Sequence, residues 1–342
     1  MNLYEKILKQ KFNGDSNIPN TLKQNFQPSS WKGYFEEQRT IEIDDPDSKI
    51  SFKVYLSGVE NNGTIYYFHH GAGLSALSFG VLAKYIYEKD KTSTILCFDG
   101  RGHGLTESSD DENLSLERLV LDAKNLFLKL FENTKRQIIF VGHSMGGAVV
   151  VNLSLELQQT YKSIGVAVID VVEETAIQSF FHIESTLLLR PDRFNSLSSA
   201  IKYSVKSGAT SNVESACVSV PPTLVLVKSD VDGSVETQKE KYVWRTDVMK
   251  SRKYWIGWYT DLSKRFLSLK TSKLLVLAGT GRLDKELMIG QMQGKFQLKL
   301  FPGCGHNIQE DNPSDLSECI IEFAIRNRPL DINSIRHQKD PK

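Results

Sequence analysis

The sequence predicts an α/β fold in which helices cover both faces of a mainly parallel, doubly wound sheet. Continuous apolar runs of five or six residues recur along the chain, as expected for strands buried between two helical layers. Helix-length segments separate these runs, and such alternation is typical of parallel sheets. One run leads directly into Gly-His-Ser-Met-Gly, a motif that belongs at a strand-to-helix turn. The runs that we expect to form strands are 64–68, 94–98, 137–141, 164–169, 273–278 and 296–301.

The composition indicates a single large domain and excludes several classes of partner. The 342 residues, 40% of them hydrophobic, can bury a large core, and the length suits one α/β domain with an insertion. A formal net charge of +1 gives no electrostatic reason to expect a nucleic acid or an anionic membrane as a partner. Residues 1–11 lack the apolar core of a secretory signal, and nothing approaches an apolar span of about twenty residues, so we expect a soluble protein. The four cysteines lack Cys-x-x-Cys spacing, which predicts reduced thiols and a location in the cytosol or nucleus.

The domain is expected to span residues 31–330, between a polar arm over residues 1–30 and a polar tail over residues 331–342. Within it, residues 172–270 interrupt the alternation of strands and helices. This insertion is rich in aromatic residues and contains one obvious strand-like run, 223–227. We interpret it as a mostly helical cap over the carboxyl edge of the sheet, where open α/β sheets place their active sites.

Two shorter segments are interpreted from their local pattern. Residues 40–43 and 50–55 alternate apolar and polar side chains on either side of an Asp-Asp-Pro-Asp turn. This pattern predicts an antiparallel hairpin at an edge of the sheet. Residues 228–241, inside the insertion, are polar and charged, and we expect them to form a mobile loop.

The candidate nucleophile is Ser144, which lies at the centre of Gly-His-Ser-Met-Gly. An apolar strand precedes the motif, and residues 148–155 can continue as a buried helix. This context indicates a nucleophile elbow, in which a strained turn makes the serine hydroxyl project from the sheet edge. Gly142 and Gly146 supply the small residues that so tight a turn requires.

The candidate general base is His306. A serine hydroxyl is a poor nucleophile until a base takes its proton, and α/β hydrolases place that histidine on the loop after the last strand. His306 follows the final predicted strand in the turn 301–306, and it alone of the seven histidines fits the chain order. We expect structural or surface roles for the others, which are His69, His70, His103, His143, His182 and His337.

Two backbone amides must face the carbonyl oxygen of a substrate as it becomes negative. The amide of Met145, the residue after the serine, is the first candidate. The second should come from the His-Gly-Ala-Gly segment at the end of the 64–68 strand, which resembles the oxyanion loop of esterases. Its donor is the amide of Ala72 or that of Gly71.

Two aspartates satisfy the chain order serine, acid, histidine. Asp284 follows the fifth parallel strand, which is the commonest position for the acid in this fold. Asp170 follows the 164–169 strand directly, and some hydrolases place the acid there. Position alone favours Asp284 modestly and leaves both open.

Eight runs of sequence resemble those of one known family. They are 75–78, 142–147, 168–173, 204–208, 253–258, 282–285, 289–296 and 304–306. The elbow and the histidine turn occur in many hydrolases, but Ile-Gly-Gln-Met-Gln-Gly-Lys-Phe and Ile-Asp-Val-Val-Glu are far more specific. Through these runs the sequence resembles the protein phosphatase methylesterases, which demethylate the carboxyl terminus of the protein phosphatase 2A catalytic subunit. The resemblance covers nearly the whole predicted domain.

The resemblance implies an α/β-hydrolase fold and a serine esterase mechanism. In that family the acid is the aspartate of Ile-Asp-Val-Val, which carries over to Asp170 and reverses the positional preference. Asp284 would then be structural or would support the histidine loop. His306 would deprotonate Ser144, which would attack the methyl ester of a carboxyl-terminal leucine, with no metal or organic cofactor. The implied partner is the protein phosphatase 2A catalytic subunit, and we expect a monomer.

Two other functions remain open at this stage. A small-molecule carboxylesterase would use the same residues on a different substrate. A noncatalytic hydrolase-fold protein would only bind the phosphatase, although every chemical position of an esterase is filled in this chain.

Overall fold

The computed structural model describes residues 25–45, 48–229, 239–279 and 283–328. Residues 1–24 of the predicted arm, residues 230–238 of the predicted loop and the whole predicted tail lie outside the described residues, as does His337. The described strands, numbered in chain order, are β1 (Glu37–Asp45), β2 (Ser48–Ser57), β3 (Ile65–His69), β4 (Thr94–Phe98), β5 (Glu107–Ser108), β6 (Ile138–His143), β7 (Ser163–Ile169), β8 (Arg193–Phe194), β9 (Leu224–Ser229), β10 (Lys239–Trp244), β11 (Ser272–Ala278) and β12 (Gln297–Phe301).

Nine of the described strands form the main sheet, in the order β1-β2-β4-β3-β6-β7-β11-β12, with β5 paired to β2. From β4 through β12 along this order, neighbouring strands are parallel. β1, β2 and β5 run antiparallel to their neighbours. This confirms the predicted fold class, because each of the six predicted runs overlaps a parallel strand. The predicted hairpin is also present, with β1 at the edge of the sheet.

Eleven α-helices lie in the described residues. They are α1 (Gly80–Lys89), α2 (Leu116–Phe131), α3 (Met145–Leu157), α4 (Glu173–Leu189), α5 (Leu197–Ser207), α6 (Val213–Ser219), α7 (Trp255–Tyr259), α8 (Leu262–Ser268), α9 (Lys285–Met292), α10 (Ile308–Asp311) and α11 (Pro313–Asn327). Short 3₁₀ segments occur at Trp31–Gly33, Ala76–Phe79, Pro221–Thr223 and Val248–Tyr254.

The helices bury a separate core on each face of the main sheet. One core contains residues of α2, α3, α7 and α8, and the other contains residues of α1 and α11. Along β6, Ile138 and Phe140 belong to the first core, whereas Ile139 and Val141 belong to the second. This alternation arises because successive side chains of a strand point to opposite faces. All four side chains are fully buried, which explains why the parallel strands read as continuous apolar runs.

Helix α3 gives the elbow a rigid base. It packs against β6 and β7 of the sheet and against α2 and α8 on its other sides. Its sequence is apolar around most of its circumference, and most of its residues are buried. A helix that is apolar all round is stable only where it is enclosed on all sides, so its first turn is held firmly in place.

The insertion over residues 172–270 contains more β structure than the sequence predicted. The strand-like run 223–227 corresponds to β9, but β8 and β10 join it in a separate three-stranded antiparallel sheet. The expectation of a single strand there was wrong for two local reasons. β8 has only two residues, and β10 begins with Lys-Glu-Lys, which hides its period of two. This sheet packs with α5 and α6 around a small core of its own, which includes Phe194, Ile201 and Leu224.

Candidate active site

The candidate residues converge at the carboxyl-terminal edge of the parallel strands. Ser144 follows β6 directly, Asp170 follows β7 directly, and Gly71 lies two residues beyond β3. His306 lies in the turn after β12. Ligands of open α/β sheets bind outside the carboxyl ends of the strands. The structure brings Ser144, Asp170 and His306 together in the lining of one pocket at this edge.

Ser144 occupies a strained turn between β6 and α3. Its backbone angles are φ 51° and ψ −119°, a conformation that costs energy in a residue with a side chain. A Cβ atom on Gly142 would lie 2.2 Å from the carbonyl oxygen of Gly146, and one on Gly146 would lie 2.1 Å from the carbonyl oxygen of His69. The backbone segments therefore approach so closely that only glycine fits on either side of the serine.

Asp170 and His306 form a hydrogen-bonded pair. His306 Nδ1 lies 2.7 Å from Asp170 Oδ2, and the amide of Ala278 donates to Oδ1 at 2.8 Å. Burial would raise the pKa of Asp170, but the hydrogen bond and charge of His306, together with the Ala278 amide, lower it below its ordinary value. Asp170 is therefore a carboxylate at neutral pH. As an acceptor it keeps the proton on Nδ1 of His306, so that Nε2 is the nitrogen that can accept a proton.

Asp284, the positional alternative for the acid, has a different environment. It caps the start of α9, where its Oδ1 accepts a hydrogen bond from the Leu287 amide at 2.9 Å. Its other carboxylate oxygen accepts a short hydrogen bond from the Ser263 hydroxyl. Among the described residues, no hydrogen bond joins Asp284 to the His306 turn. Both carboxylate oxygens of Asp284 thus have structural partners on α8 and α9.

Three side chains hold the turn that carries His306. His143 Nε2 donates to the His306 carbonyl oxygen at 3.0 Å, and Asn307 Nδ2 donates to the Ala209 carbonyl oxygen at 2.9 Å. Asp311 Oδ2 accepts from the Gly305 amide at 2.6 Å. Burial, followed by the charge of His306, lowers the pKa of His143 to about 3. His143 is therefore neutral and serves as a hydrogen-bond donor to the turn, in line with the structural role expected for it.

The hydroxyl of Ser144 faces a tyrosine that the sequence did not single out. Ser144 Oγ lies 3.5 Å from Tyr259 Oη, and in the described part of the chain Ser144 has no hydrogen bond to His306. Such contacts are often long before substrate binds and tighten in the substrate complex. Burial raises the pKa of Tyr259 to about 12, although the nearby Ser144 hydroxyl acts in the opposite direction. Tyr259 is therefore a neutral phenol with its ring fixed against Phe180 and Trp258.

The amides expected to face a substrate carbonyl lie beside the serine. Met145 is the first residue of α3, and the first amides of a helix have no acceptor within that helix. A Cβ atom on Gly71 would lie 3.2 Å from the Ser144 Cβ and 2.7 Å from His143 Nδ1. The segment containing Gly71 and Ala72 therefore reaches the serine closely, and a side chain at position 71 would block that approach.

Buried histidines hold the segment that contains Gly71 and Ala72 in place through hydrogen bonds to backbone amides. His103 Nε2 accepts a hydrogen bond from the Gly73 amide at 2.9 Å, and His70 Nε2 accepts one from the Gly100 amide at 2.8 Å. Burial lowers the pKa of His103 to about 4 and that of His70 well below its ordinary value. Both rings are neutral at physiological pH, so each retains the lone pair with which it accepts these bonds.

The pocket beside Ser144 has a volume of about 330 Å³. Helix α4 forms one wall, to which it contributes Ala176 and Ile183, and Leu277 lies at the end of β11. The lining combines polar groups with apolar side chains, and α4 contributes both kinds. The sequence predicted that the insertion containing α4 and Tyr259 covers this edge of the sheet. No pattern singled out either of them as lining the site, because neither belongs to a motif and both reach it only through tertiary packing.

The chemistry available in the pocket is that of a hydroxyl, a carboxylate and an imidazole. Within the described ranges, no group of three histidine, cysteine or acidic side chains is arranged to hold a metal ion. None of the described helices combines the length and apolar character needed to cross a bilayer.

The sheet order and the elbow define the class of this protein. Residues 67–318 match the model of the alpha/beta hydrolase family, so the chain is an α/β hydrolase. Solved structures of that fold are similar to it over most of their length. E-2-(acetamidomethylene)succinate hydrolase has a TM-score of 0.63 at 16% identity, with 84% of this chain and 100% of the other covered. The peroxisomal α/β-hydrolase Lpx1 of Saccharomyces cerevisiae has a TM-score of 0.61 at 14% identity, with 90% and 98% covered.

Sequence relatives define the family more narrowly. Protein phosphatase methylesterase 1 of Bos taurus is 38% identical over 338 residues, which cover 90% of this chain and 88% of the relative. The protein of the same name from Yarrowia lipolytica is 39% identical over 322 residues, with 88% and 74% covered. The chain belongs to the protein phosphatase methylesterase family, and it is an ester hydrolase. The resemblance noted from the sequence is thereby confirmed.

Proposed function

We propose that this chain removes the methyl ester from the carboxyl-terminal leucine of the protein phosphatase 2A catalytic subunit by acyl transfer through Ser144, His306 and Asp170. The observation that carries the proposal is the 2.7 Å hydrogen bond between His306 and Asp170 in the lining of the pocket that also contains Ser144. A hydroxyl, an orienting carboxylate and a base, in that chain order, are the parts that serine esterases use.

The first half of the reaction forms an acyl-enzyme. His306 Nε2 takes the proton of the Ser144 hydroxyl as Oγ attacks the ester carbonyl, and Asp170 stabilises the resulting imidazolium. The amides of Met145 and of Ala72 or Gly71 donate to the carbonyl oxygen as it becomes negative. His306 then returns the proton to the departing methoxy group, which leaves as methanol.

The second half restores the serine. His306 takes a proton from a water molecule, which attacks the acyl carbon, and the bond to Ser144 Oγ breaks with return of the proton to Oγ. The product is the free carboxylate of the peptide terminus. This sequence of steps needs no metal or organic cofactor.

The form of the pocket supports a carboxyl-terminal residue with an apolar side chain as substrate. Ala176, Ile183 and Leu277 contribute apolar surface to the pocket, which suits a leucine side chain. The ester carbonyl would lie at Ser144, and the preceding residues of the phosphatase tail would leave through the mouth of the pocket. We propose that the enzyme acts as a monomer on the folded phosphatase in the cytosol or nucleus.

Fluorophosphonate labelling of the wild type and one variant, together with turnover by the wild type, tests this proposal. We expect a fluorophosphonate probe to label the wild type, and the label to be lost in Ser144→Ala. The wild type should demethylate purified methylated phosphatase, and its kcat/KM for a leucine methyl ester peptide of the phosphatase tail should exceed that for a short acyl ester. Absence of labelling in the wild type would contradict the esterase mechanism. Equal or greater activity on the short ester would contradict the proposed substrate.

A further inference from the structure

Two buried polar side chains directly follow the candidate base in the sequence. Gln309 and Glu310 lie on α10, three and four residues after His306, and are 0% and 2% exposed. Both polar side-chain atoms of Gln309, Oε1 and Nε2, are buried without a hydrogen-bond partner. Glu310 Oε1 is likewise buried and unpaired. The proposed mechanism gives none of these atoms a role.

The segment that faces α10 carries unpaired polar atoms as well. α10 packs against the 3₁₀ segment Ala76–Phe79 and against α6. Ser78 belongs to that 3₁₀ segment and Ser75 directly precedes it. The hydroxyl of each serine is buried without a hydrogen-bond partner. Ser75 lies only three residues after Ala72 in the chain. Unpaired buried polar atoms therefore lie both on the helix that follows the candidate base and on the 3₁₀ segment packed against it, which follows the segment with the candidate amides.

Unpaired polar atoms are costly to bury, and native proteins satisfy nearly all of them with protein groups or ordered water. A site that is polar and offers several donors and acceptors is where ordered water binds inside proteins. Gln309 supplies both a donor and an acceptor, and the two serine hydroxyls can act as either. These side chains thus have the composition of a buried, water-bridged network.

Glu310 is a neutral acid at physiological pH. Burial, with a smaller contribution from the neighbouring charge of Asp311, raises the pKa of Glu310 to about 8, while the hydroxyls of Ser219 and Thr210 act in the opposite direction. The charged residues of the other elements packed against α10 are exposed or half-exposed. Glu214 of α6 and Asp315 of α11 are exposed, and Lys84 of α1 is half-exposed.

We propose that Gln309 and Glu310 are positioning residues for the esterase reaction, which share ordered water with Ser75 and Ser78 and thereby fix the His306 turn relative to Gly71 and Ala72. Glu310 performs this role as the protonated acid, because only that form can donate a hydrogen bond as well as accept one. The inference rests on the proposed function. It adds an upper pH limit to that function, since ionisation of Glu310 would place a charge in the buried network and shift the turn.

Three variants and a pH profile test the inference. Glu310→Gln mimics the neutral acid, Glu310→Leu keeps the approximate size without polar atoms, and Glu322→Gln is the matched control on the exposed face of α11. The kcat and KM for a leucine methyl ester peptide would be measured from pH 6 to pH 9.5, with correction for spontaneous hydrolysis. Circular dichroism and thermal unfolding at each pH would establish that every variant is folded.

The wild type and Glu322→Gln should lose kcat above about pH 8, whereas Glu310→Gln should retain its kcat to pH 9.5. Glu310→Leu should lose at least about tenfold in kcat at neutral pH, with KM changed by less than about threefold, because the base and not the substrate pocket is displaced. The same alkaline loss in Glu310→Gln as in the wild type would overturn the inference, as would full kcat in folded Glu310→Leu. A wild type without esterase activity would instead contradict the proposed function, so the two failures are distinct.

Discussion

At the residue scale, backbone strain coincides with the candidate chemistry. Ser144 and Asp170 have φ angles of 51° and 53°, and among the described residues only Asp261 is another non-glycine residue with positive φ. Both lie at the carboxyl end of a parallel strand, where they project the hydroxyl and the carboxylate into the pocket. Strained residues persist only where the surrounding structure holds them firmly, and the enclosed helix α3 provides such support for Ser144.

Gly146→Ala tests how much the elbow depends on close backbone approach. The new Cβ would meet the His69 carbonyl oxygen at 2.1 Å, and the obstacle is backbone that cannot move aside without shifting β3. We expect a loss of about 1 to 3 kcal/mol in the free energy of unfolding, as for other overpacked sites. Urea denaturation would measure it, and fluorophosphonate labelling would slow as Ser144 moves. Gly257→Ala is the matched control, because a Cβ there has nothing within 4 Å.

Tyr259→Phe tests whether the tyrosine hydroxyl takes part in the reaction. Its contact with Ser144 Oγ is long, at 3.5 Å, and the ring packing that shapes the pocket survives the change. We therefore expect kcat/KM to remain within about fivefold of the wild type, since a weak hydrogen bond contributes on the order of 1 kcal/mol or less. A loss of a hundredfold in the steady-state assay would instead make the hydroxyl part of the catalytic machinery.

At the element scale, helix α4 forms one wall of the pocket beside Ser144. None of its residues is fully buried. It is held by contacts such as that between the rings of Phe180 and Trp255, whose centroids lie 5.5 Å apart with their planes inclined by 53°. One side of the helix lines the pocket and the other is exposed. Substrate selectivity should therefore respond to substitutions on the first side and not on the second.

Ala176→Phe tests this role of α4. Ala176 lines the pocket, and a phenyl ring there would occupy the space into which a leucine side chain is proposed to fit. We expect kcat/KM for the leucine ester to fall by at least about tenfold, in the range that a change of pocket size produces, while labelling by a small fluorophosphonate continues. Ile177→Phe, on the exposed side of the same helix, should leave both unchanged. Equal effects of the two substitutions would contradict the account.

The elements that the sequence predicted well are those with a strong local signal. The six parallel strands are buried on both faces, so their apolar runs were visible without any knowledge of the fold. β8 and β10 were missed because a two-residue strand and a strand with charged ends leave no such run.

The identity of the acid shows a second limit on what position in the sequence can predict. Asp170 and Asp284 obey the same positional rule, and the rule cannot tell a carboxylate that meets His306 from one that caps α9. The family resemblance favoured Asp170 through the Ile-Asp-Val-Val run, whereas position alone modestly favoured Asp284.

At the scale of the whole molecule, buried neutral histidines make stability depend on pH. Burial lowers the pKa of His69 and His103 to about 4, that of His143 to about 3 and that of His70 well below its ordinary value. The unfolded chain takes up these protons near pH 6.5, before the folded protein does. The contribution of these histidines to the free energy of unfolding is therefore fully present above about pH 6.5 and is lost as the pH falls toward 4.

We expect the free energy of unfolding to decrease on acidification below about pH 6.5. Each buried histidine contributes a slope of about 1.4 kcal/mol per pH unit. Asp99 and Glu310 oppose this trend, because burial raises their pKa to about 6 and about 8 and the folded protein holds their protons longer. They offset about half of the slope near pH 5.5. Urea titrations from pH 7 to pH 4.5 would measure the net dependence, and a constant stability over that range would contradict it.

Asp170 as the partner of His306 is the central assignment in the proposed methylesterase mechanism. The most direct measurement compares Asp170→Asn with Asp284→Asn in the demethylation of purified methylated phosphatase, with the folding of each variant checked. Asp170→Asn should lower kcat by roughly a thousandfold or more, as loss of the orienting carboxylate does in serine hydrolases. Asp284→Asn should remain within about tenfold of the wild type, because asparagine also caps helices. Loss of turnover in Asp284→Asn alone would contradict the account.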